Sequence, residues 1–376
     1  MLRLLPVLLG LLLMSGCGQR LWGACVLPST EALLVMKDLA TGEGPSRFKS
    51  MTPAPRRQTI SYQVEGRNYW GDLYLPGVAP GAGLVVIPGA AREGKDDPRL
   101  VAFAKTLSRA RFAVLVPDMQ GVRNLRVRPE DTQEVADAFR YLISQEQLSP
   151  EGRAGMAAVS YAVGPAILAA LKPDLRDRVD VILAIGGYYD IVNVLTYVTT
   201  GQYQAPGGPW QKGKPNPYGK WVYVMSNVDQ LNDPNDRRLL ETMAQRRLNN
   251  PEAPIDDLVG QLGPEGQTVY AFVTATTPEE VAERFKQLPP KVQEDIAGLD
   301  VSRHDLSPLA AKLILVHGKG DPVIPYTESI RLARAAPHAQ LTLVNGLSHV
   351  NLGGLALNDL RLLGCAIDSL LAIRRR

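Results

Sequence analysis

The sequence predicts an α/β fold: a mostly parallel, doubly wound sheet interrupted by an inserted helical cap. Three observations carry that expectation. From Gly83 the text alternates short apolar runs with amphipathic stretches, the pattern of parallel strands joined by crossover helices on both faces. The alternation breaks after Gly187 and resumes near residue 306, leaving about 120 residues inserted in the path of the sheet. Thirdly, Ser160, Asp321 and His349 each stand just beyond a run that reads as a buried strand. The carboxyl ends of parallel strands are where such sheets place their ligands.

In chain order, QTISYQVEG and NYWGDLYLP alternate across a glycine-containing turn and read as an opening hairpin. LVVI is a strand, followed by a helix near 97–110, the strand FAVLVP, a helix near 131–146, the strand GMAAV, a helix after Ser160 and the strand VDVILAIGG. The insertion is rich in aromatic residues, glycine and proline at first, then helical: DPNDRRLLETMAQRRL has apolar residues at helical spacing. TTPEEVAERFKQL opens with a capping box from Thr277 to Glu280 and Pro278 at the first helical position. Tyr188, Tyr189, Tyr197, Trp210, Tyr218, Trp221 and Tyr223 are candidates to line a pocket under this cap or to fill the cap's own core. After KLILV and QLTLV the chain ends in the apolar helix LRLLGCAIDSLLAI.

Composition sets wide limits. The 376 residues are 45% hydrophobic, enough for a substantial core. The formal charge is only +3, and the charges are interspersed, so there is no stripe for a nucleic-acid partner. No metal-ligand spacing, Walker loop or dinucleotide-binding glycine motif occurs, so neither a metal nor a cofactor is expected.

The N-terminus reads as an export signal. A positive start, Met1-Leu2-Arg3, precedes PVLLGLLLM, an apolar run of signal-peptide length. It ends in Met14-Ser15-Gly16-Cys17, which resembles the lipobox of bacterial lipoproteins. That resemblance implies cleavage before Cys17, lipidation of Cys17, and a membrane-anchored protein in the bacterial cell envelope facing the periplasm or exterior. The chain then divides into a signal peptide 1–16, an N-terminal arm 17–56, a first core segment 57–187, a cap 188–305 and a second core segment 306–376. Two further cysteines remain. An oxidising compartment permits a Cys25–Cys365 disulfide, but Cys365 lies in an apolar helix, and the sequence favours a buried, unpaired thiol there.

The chemistry centres on Ser160 in AVSYAVG, Asp321 in LILVHGKGDP and His349 in LVNGLSHV. A serine hydroxyl is a poor nucleophile until a neutral imidazole accepts its proton, and an acid must hold that imidazole in the right tautomer. Serine, acid and histidine in that chain order, each off a different strand, match the order of one known triad. The simpler alternative for Ser160 is that it caps a helix beginning at Tyr161. Among the histidines, His304 lies in polar text, His317 ends a strand as a structural turn residue, and His338 is in a connector. Asp190 in GGYYD is the alternative acid, or an N-cap opening the insertion; Asp118 reads as a turn residue. Two backbone amides are placed to hold an oxyanion, those of Ala90 after Pro88-Gly89 and of Tyr161 after the serine.

With these residues in place, LYLPG, GLVVIPGA, ARFAVLVPDMQG, AVSYAVGPA, LILVHGKGDPVIP and GLSHV together resemble the α/β-hydrolase superfamily. The likeness is nearest to its esterase, dienelactone-hydrolase and peptidase-like members. It spans about 57–187 and 306–372, and leaves the cap unmatched. Alanines 158 and 162 replace both elbow glycines, and Pro88 stands where a histidine is usual. The resemblance implies a serine hydrolase, a carboxylesterase forming an acyl-enzyme on Ser160, with a small-molecule or lipid-like ester as substrate. A peptidase of the same superfamily and a non-catalytic envelope lipoprotein are the alternatives.

Overall fold

Eight strands share one sheet in the computed structural model, which describes residues 25, 27–349, 351–352 and 356–375. The leader, including Cys17, lies outside the described residues. The strands are β1 (Arg56–Val64), β2 (Arg67–Leu75), β3 (Ala82–Ile87), β4 (Phe112–Pro117), β5 (Ala154–Val159), β6 (Val181–Ile185), β7 (Lys312–Gly318) and β8 (Ala339–Val344). Their spatial order is β1-β2-β4-β3-β5-β6-β7-β8. β1 and β2 form an antiparallel hairpin, β2 pairs antiparallel with β4, and every later pairing is parallel. The predicted opening hairpin and parallel core are both present.

Alternate residues of the central strands feed two cores, as the strand period of two requires. Val85, Ile87, Met156, Ala158, Ile182 and Ala184 point to one face. There they meet α3 (Asp131–Ser144), α4 (Val163–Ala170) and α11 (Thr327–Ala335). Leu84, Val86, Ala157, Val181, Leu183 and Val316 point to the other. That face is covered by α1 (Thr30–Thr41), α2 (Pro98–Arg109) and α12 (Leu357–Leu371). The strands buried on both faces are therefore apolar throughout, which is why β3 and β4 read as continuous hydrophobic runs.

Between β6 and β7 the chain leaves the sheet and forms helices with a separate apolar core around Leu239, Met243 and Phe272. These helices are α5 (Ile191–Thr200), α6 (Tyr218–Asn227), α7 (Pro234–Asn249), α8 (Pro264–Val273), α9 (Pro278–Phe285) and α10 (Pro290–Leu299). Only a short hairpin, Gln202–Gln204 with Trp210–Lys212, interrupts them among the described residues. The capping box forms with one change. Thr277 accepts from the Glu280 amide at 3.2 Å, but the Glu280 carboxylate reaches back to the Thr276 amide at 2.8 Å rather than that of Thr277.

The arm carries the main departure from the sequence reading. Cys25 and Cys365 are joined in a disulfide, not unpaired. The cause is the packing of α1 along α12. Pro28 sits so close to Gly364 that an added Cβ there would meet the proline Cβ at 2.6 Å. Ser29 donates its amide to Asp368 at 2.6 Å, and Glu31 pairs with Arg374 at 2.8 Å. These contacts bring the two cysteine Cα atoms to 5.7 Å, inside the range a disulfide spans. The bond links residues 340 apart, and chain-entropy reasoning puts long loops at the upper end of the usual gain of about 2–4 kcal/mol. No helix among the described residues is long and apolar enough to cross a membrane.

Candidate functional site

Register brings the strand ends level. Ile87 pairs with Ala158, Val159 with Ile185, Ile185 with Val316, and Gly318 with Val344. Ser160, Asp321 and His349 lie just past three of these ends, so the sheet collects on one edge residues that are far apart in sequence. Ser160 follows β5 with φ of 57°, the left-handed region that a side chain occupies at a cost of about 1–3 kcal/mol. The helical turn that starts at Ser160 has no side-chain cap, and neither does α4. The capping alternative for Ser160 is therefore not what the structure contains.

Alanine suffices at 158 and 162 because the tight contacts fall one step further on. A Cβ on Gly164 would meet the Tyr188 hydroxyl at 2.0 Å, and one on Gly187 would meet Val163 at 2.5 Å. Glycine is thus required where α4 crosses the exit of β6, not beside the serine. On the opposite side of the turn, Gly89 lets the loop after β3 approach: an added Cβ would lie 3.3 Å from the Val159 carbonyl oxygen.

Asp321 and His349 meet. His349 Nδ1 lies 2.8 Å from Asp321 Oδ2, and the other carboxylate oxygen accepts the amides of Val323 at 2.8 Å and Ile324 at 3.0 Å. A carboxylate cannot donate, so Nδ1 carries the hydrogen and Nε2 is left as the basic nitrogen. Burial alone would raise the Asp321 pKa, but hydrogen bonds and charge from the neighbouring histidines win and hold it well below the usual carboxylate range. His349 has φ of 53° and stands in a turn after Leu347-Ser348, clear of α12. Gly186, at φ of 60°, leaves room for the pair: a Cβ there would sit 3.3 Å from both Asp321 Oδ2 and His349 Nδ1.

Sequence reasoning missed a second histidine. His317, wholly buried, stands with Nε2 3.4 Å from Asp321 Oδ2 and 2.9 Å from the Ile324 carbonyl, while Nδ1 lies 2.7 Å from Ser329 Oγ. It ties the acid's loop to α11. The spacing of four residues between His317 and Asp321 in HGKGD was the available signal. Asp190, the alternative acid, is occupied elsewhere. Its carboxylate caps α5 through the amides of Val192 at 2.9 Å and Asn193 at 3.2 Å. Asp118 pairs with Arg123 at 3.2 Å, a structural role as expected.

Ser160, Tyr161, His349, Gly89 and Ala90 line one cavity of about 1050 Å³. The Ala90 carbonyl accepts from the Tyr218 hydroxyl at 3.1 Å, which fixes that peptide against the cap. The Tyr161 ring is pinned at its far end, Oη lying 2.6 Å from Asp131 Oδ2 and 3.2 Å from the Arg128 carbonyl. Burial pushes the Asp131 carboxyl up to about 6. Of the candidate aromatics, Tyr188, Tyr218 and Tyr223 reach the cavity. Trp221 fills the cap core, Trp210 is exposed, and Tyr197 donates to the Asp321 carbonyl at 3.2 Å.

The entrance to the cap is held by Glu328 of α11, which accepts the amides of Asp190 at 2.8 Å and Tyr189 at 3.2 Å. Burial pushes its pKa up to about 7. A folded-state pKa above the unfolded one means the native protein binds the extra proton, so stability falls as pH rises from about 4.5 to 7. Glu328→Gln keeps an acceptor and removes the charge. Its stability relative to the parent is expected to rise across that window by up to about 3 kcal/mol, read from urea unfolding at several pH values. A difference that stays flat with pH would contradict this account of the residue.

No family model matches the chain, and no curated protein is similar enough in sequence to match it. Solved structures do match. A candidate hydrolase from Legionella pneumophila aligns over 91% of this chain and 95% of its own, at 15% identity and a TM-score of 0.54. EstE1, a thermostable carboxylesterase cloned from a metagenomic library, aligns over 92% and 96% at 12% identity and a TM-score of 0.48. An esterase of Pyrobaculum calidifontis aligns over 91% and 89% at 15% identity and 0.46. The strand order with its antiparallel start, together with the first of these likenesses, gives this chain the α/β-hydrolase fold.

Proposed function

We propose that the protein is a serine hydrolase, and within that class a carboxylesterase acting through an acyl-enzyme on Ser160. The observation that carries the reading is the strained turn at Ser160, whose hydroxyl caps no helix and which shares a cavity with His349, itself held by Asp321. In this mechanism His349 Nε2 takes the hydroxyl proton as Ser160 Oγ attacks the ester carbonyl carbon. The carbonyl oxygen becomes an oxyanion held by the amides of Ala90 and Tyr161, a contribution worth several kcal/mol for such donors. Collapse breaks the ester bond, and the departing alcohol takes the proton from His349. Water then attacks the acyl-enzyme with His349 again as base, which releases the acid and restores the serine. Asp321 keeps the imidazole in the required tautomer throughout.

A fluorophosphonate probe tests this directly. Labelling is expected on the folded protein, with the adduct mapped to Ser160 by peptide mass spectrometry. A folded sample that takes no label would sink the enzyme reading and leave a non-catalytic lipoprotein. The cavity walls are largely apolar, which favours an ester over a peptide.

The same proposal places the protein outside the cytoplasm, anchored in the cell envelope through lipidated Cys17. The leader text ending in Met14-Ser15-Gly16-Cys17 supports it, and so does the Cys25–Cys365 disulfide, a bond typical of oxidising compartments. Material purified from cells is expected to carry a diacylglycerol adduct on Cys17 in intact-mass spectra and to partition with membranes. An unmodified Cys17 would refute the anchor while leaving the enzyme assignment standing.

A further inference from the structure

The cavity does not stop at the cap. Beyond Ser160 and His349 it continues down the opposite face of the sheet, between β6 and β7 on one side and α1, α2 and α12 on the other. Side chains in the middle of a parallel sheet are normally sealed, and Val181 and Ile314 of these strands are 0% exposed. Two residues further along the same strands and on the same face, Leu183 and Val316 are each 6% exposed, and Leu363 of α12 opposite them is 7% exposed. All three belong to the buried core on that face and also line the cavity. The walls contributed by β6, β7 and α12 are all apolar, and Met36 and Leu39 of α1 and Phe103 of α2 close the far side. Of the charged groups on the cavity, Glu93, Asp97 and Arg99 lie on the segment entering α2 and its first turn, and Asp295 lies on α10 of the cap.

We propose that this second chamber is a binding subsite for an unbranched aliphatic chain of the substrate, with the N-terminal arm helix as its outer wall. The proposal rests on the hydrolase reading above and extends it. The apolar walls of β6, β7 and α12 offer a polar group no replacement for its lost water contacts, and they retain methylenes. The outer wall is fastened at one end by the Cys25–Cys365 disulfide and the Glu31–Arg374 ion pair. At the other end the buried Asp38 accepts from Thr106 at 2.6 Å and pairs with Lys49 at 2.7 Å. A helix fixed at both ends holds this wall in place against the sheet. A chain of this kind is either the acyl part or the alcohol part of the ester; the chamber's chemistry is the same for both.

Two ester series separate these cases: p-nitrophenyl esters from acetate to dodecanoate, and acetate esters of ethanol to dodecanol. In one of them kcat/KM is expected to climb with chain length, by up to about fourfold per buried methylene. The variants Ile367→Trp and Leu39→Trp, which fill the chamber from opposite walls, should each lower the long-to-short ratio at least tenfold. The ratio is insensitive to a partly unfolded sample, which lowers both rates alike. Val194→Trp on the cap side serves as the comparison. If it alone changes the ratio, the chain binds under the cap and the inference is overturned. Direct binding of a fluorescent fatty acid to Ser160→Ala protein, displaced by laurate, reads the chamber without catalysis. Tight binding that Ile367→Trp weakens at least tenfold supports the subsite, and binding unaffected by it refutes the subsite. Absence of hydrolysis for every ester, with binding retained, would instead refute the hydrolase reading.

Discussion

Ser160→Ala is expected to remove ester turnover almost entirely, by on the order of 10⁶-fold in kcat, as loss of the nucleophile does in serine hydrolases. On the proposed mechanism, substitution takes away the attacking atom and leaves the rest of the cavity unchanged, so KM for a slow residual reaction should move little. The variant should also fold. The Ser160 side chain makes no capping bond, so little native structure depends on its hydroxyl. The backbone strain at φ of 57° persists with alanine, because alanine also carries a Cβ. Glycine relieves it, so Ser160→Gly is expected to be the more stable of the two variants by about 1 kcal/mol, although equally inactive. Steady-state hydrolysis of p-nitrophenyl acetate and urea unfolding measure the two effects separately. Activity in Ser160→Ala within tenfold of the parent would place the reaction on another residue.

The sheet was legible because its strands are buried on both faces. GMAAV, LVVI and VDVILAI can hardly be anything but interior, and the punctuation around them set the order. Asp190 as an N-cap and Thr277 as a capping residue were also readable, since both interactions span no more than three residues. What escaped the sequence depends on contacts through space. Cys25 and Cys365 pair because α1 lies along α12, and nothing in either local sequence states that packing. Ala158 and Ala162 stand where the resemblance places the elbow glycines, two residues either side of Ser160. In the fold the requirement for glycine falls on Gly164 and Gly187, against Tyr188 and Val163. His317 was read as a turn residue although it touches the acid's loop. Its burial, which sequence alone does not reveal, is what makes that contact matter.

The choice of acid separates two carboxylates that the sequence alone left in competition. Asp321→Asn should fold, because the asparagine oxygen can still accept the amides of Val323 and Ile324 that shape the loop. Its Nδ2, however, is a donor facing His349 Nδ1. The imidazole must then present Nδ1 as an acceptor and carry its hydrogen on Nε2, the tautomer that cannot take the serine's proton. A loss of about 10⁴-fold in kcat is expected, as for the equivalent change in serine proteases. Asp321→Ala should be worse than Asn in stability as well, since the two amides lose their partner. Asp190→Asn makes the opposite case. Its carboxylate is engaged with the first turn of α5, where asparagine caps about as well as aspartate. Turnover should stay within a few-fold of the parent, and even Asp190→Ala should cost only about 1 kcal/mol of stability. Kinetics and urea unfolding on the four variants decide the matter. A large loss in kcat for Asp190→Asn, with Asp321→Asn nearly normal, would reverse the assignment and require His349 to turn away from the carboxylate it now meets at 2.8 Å.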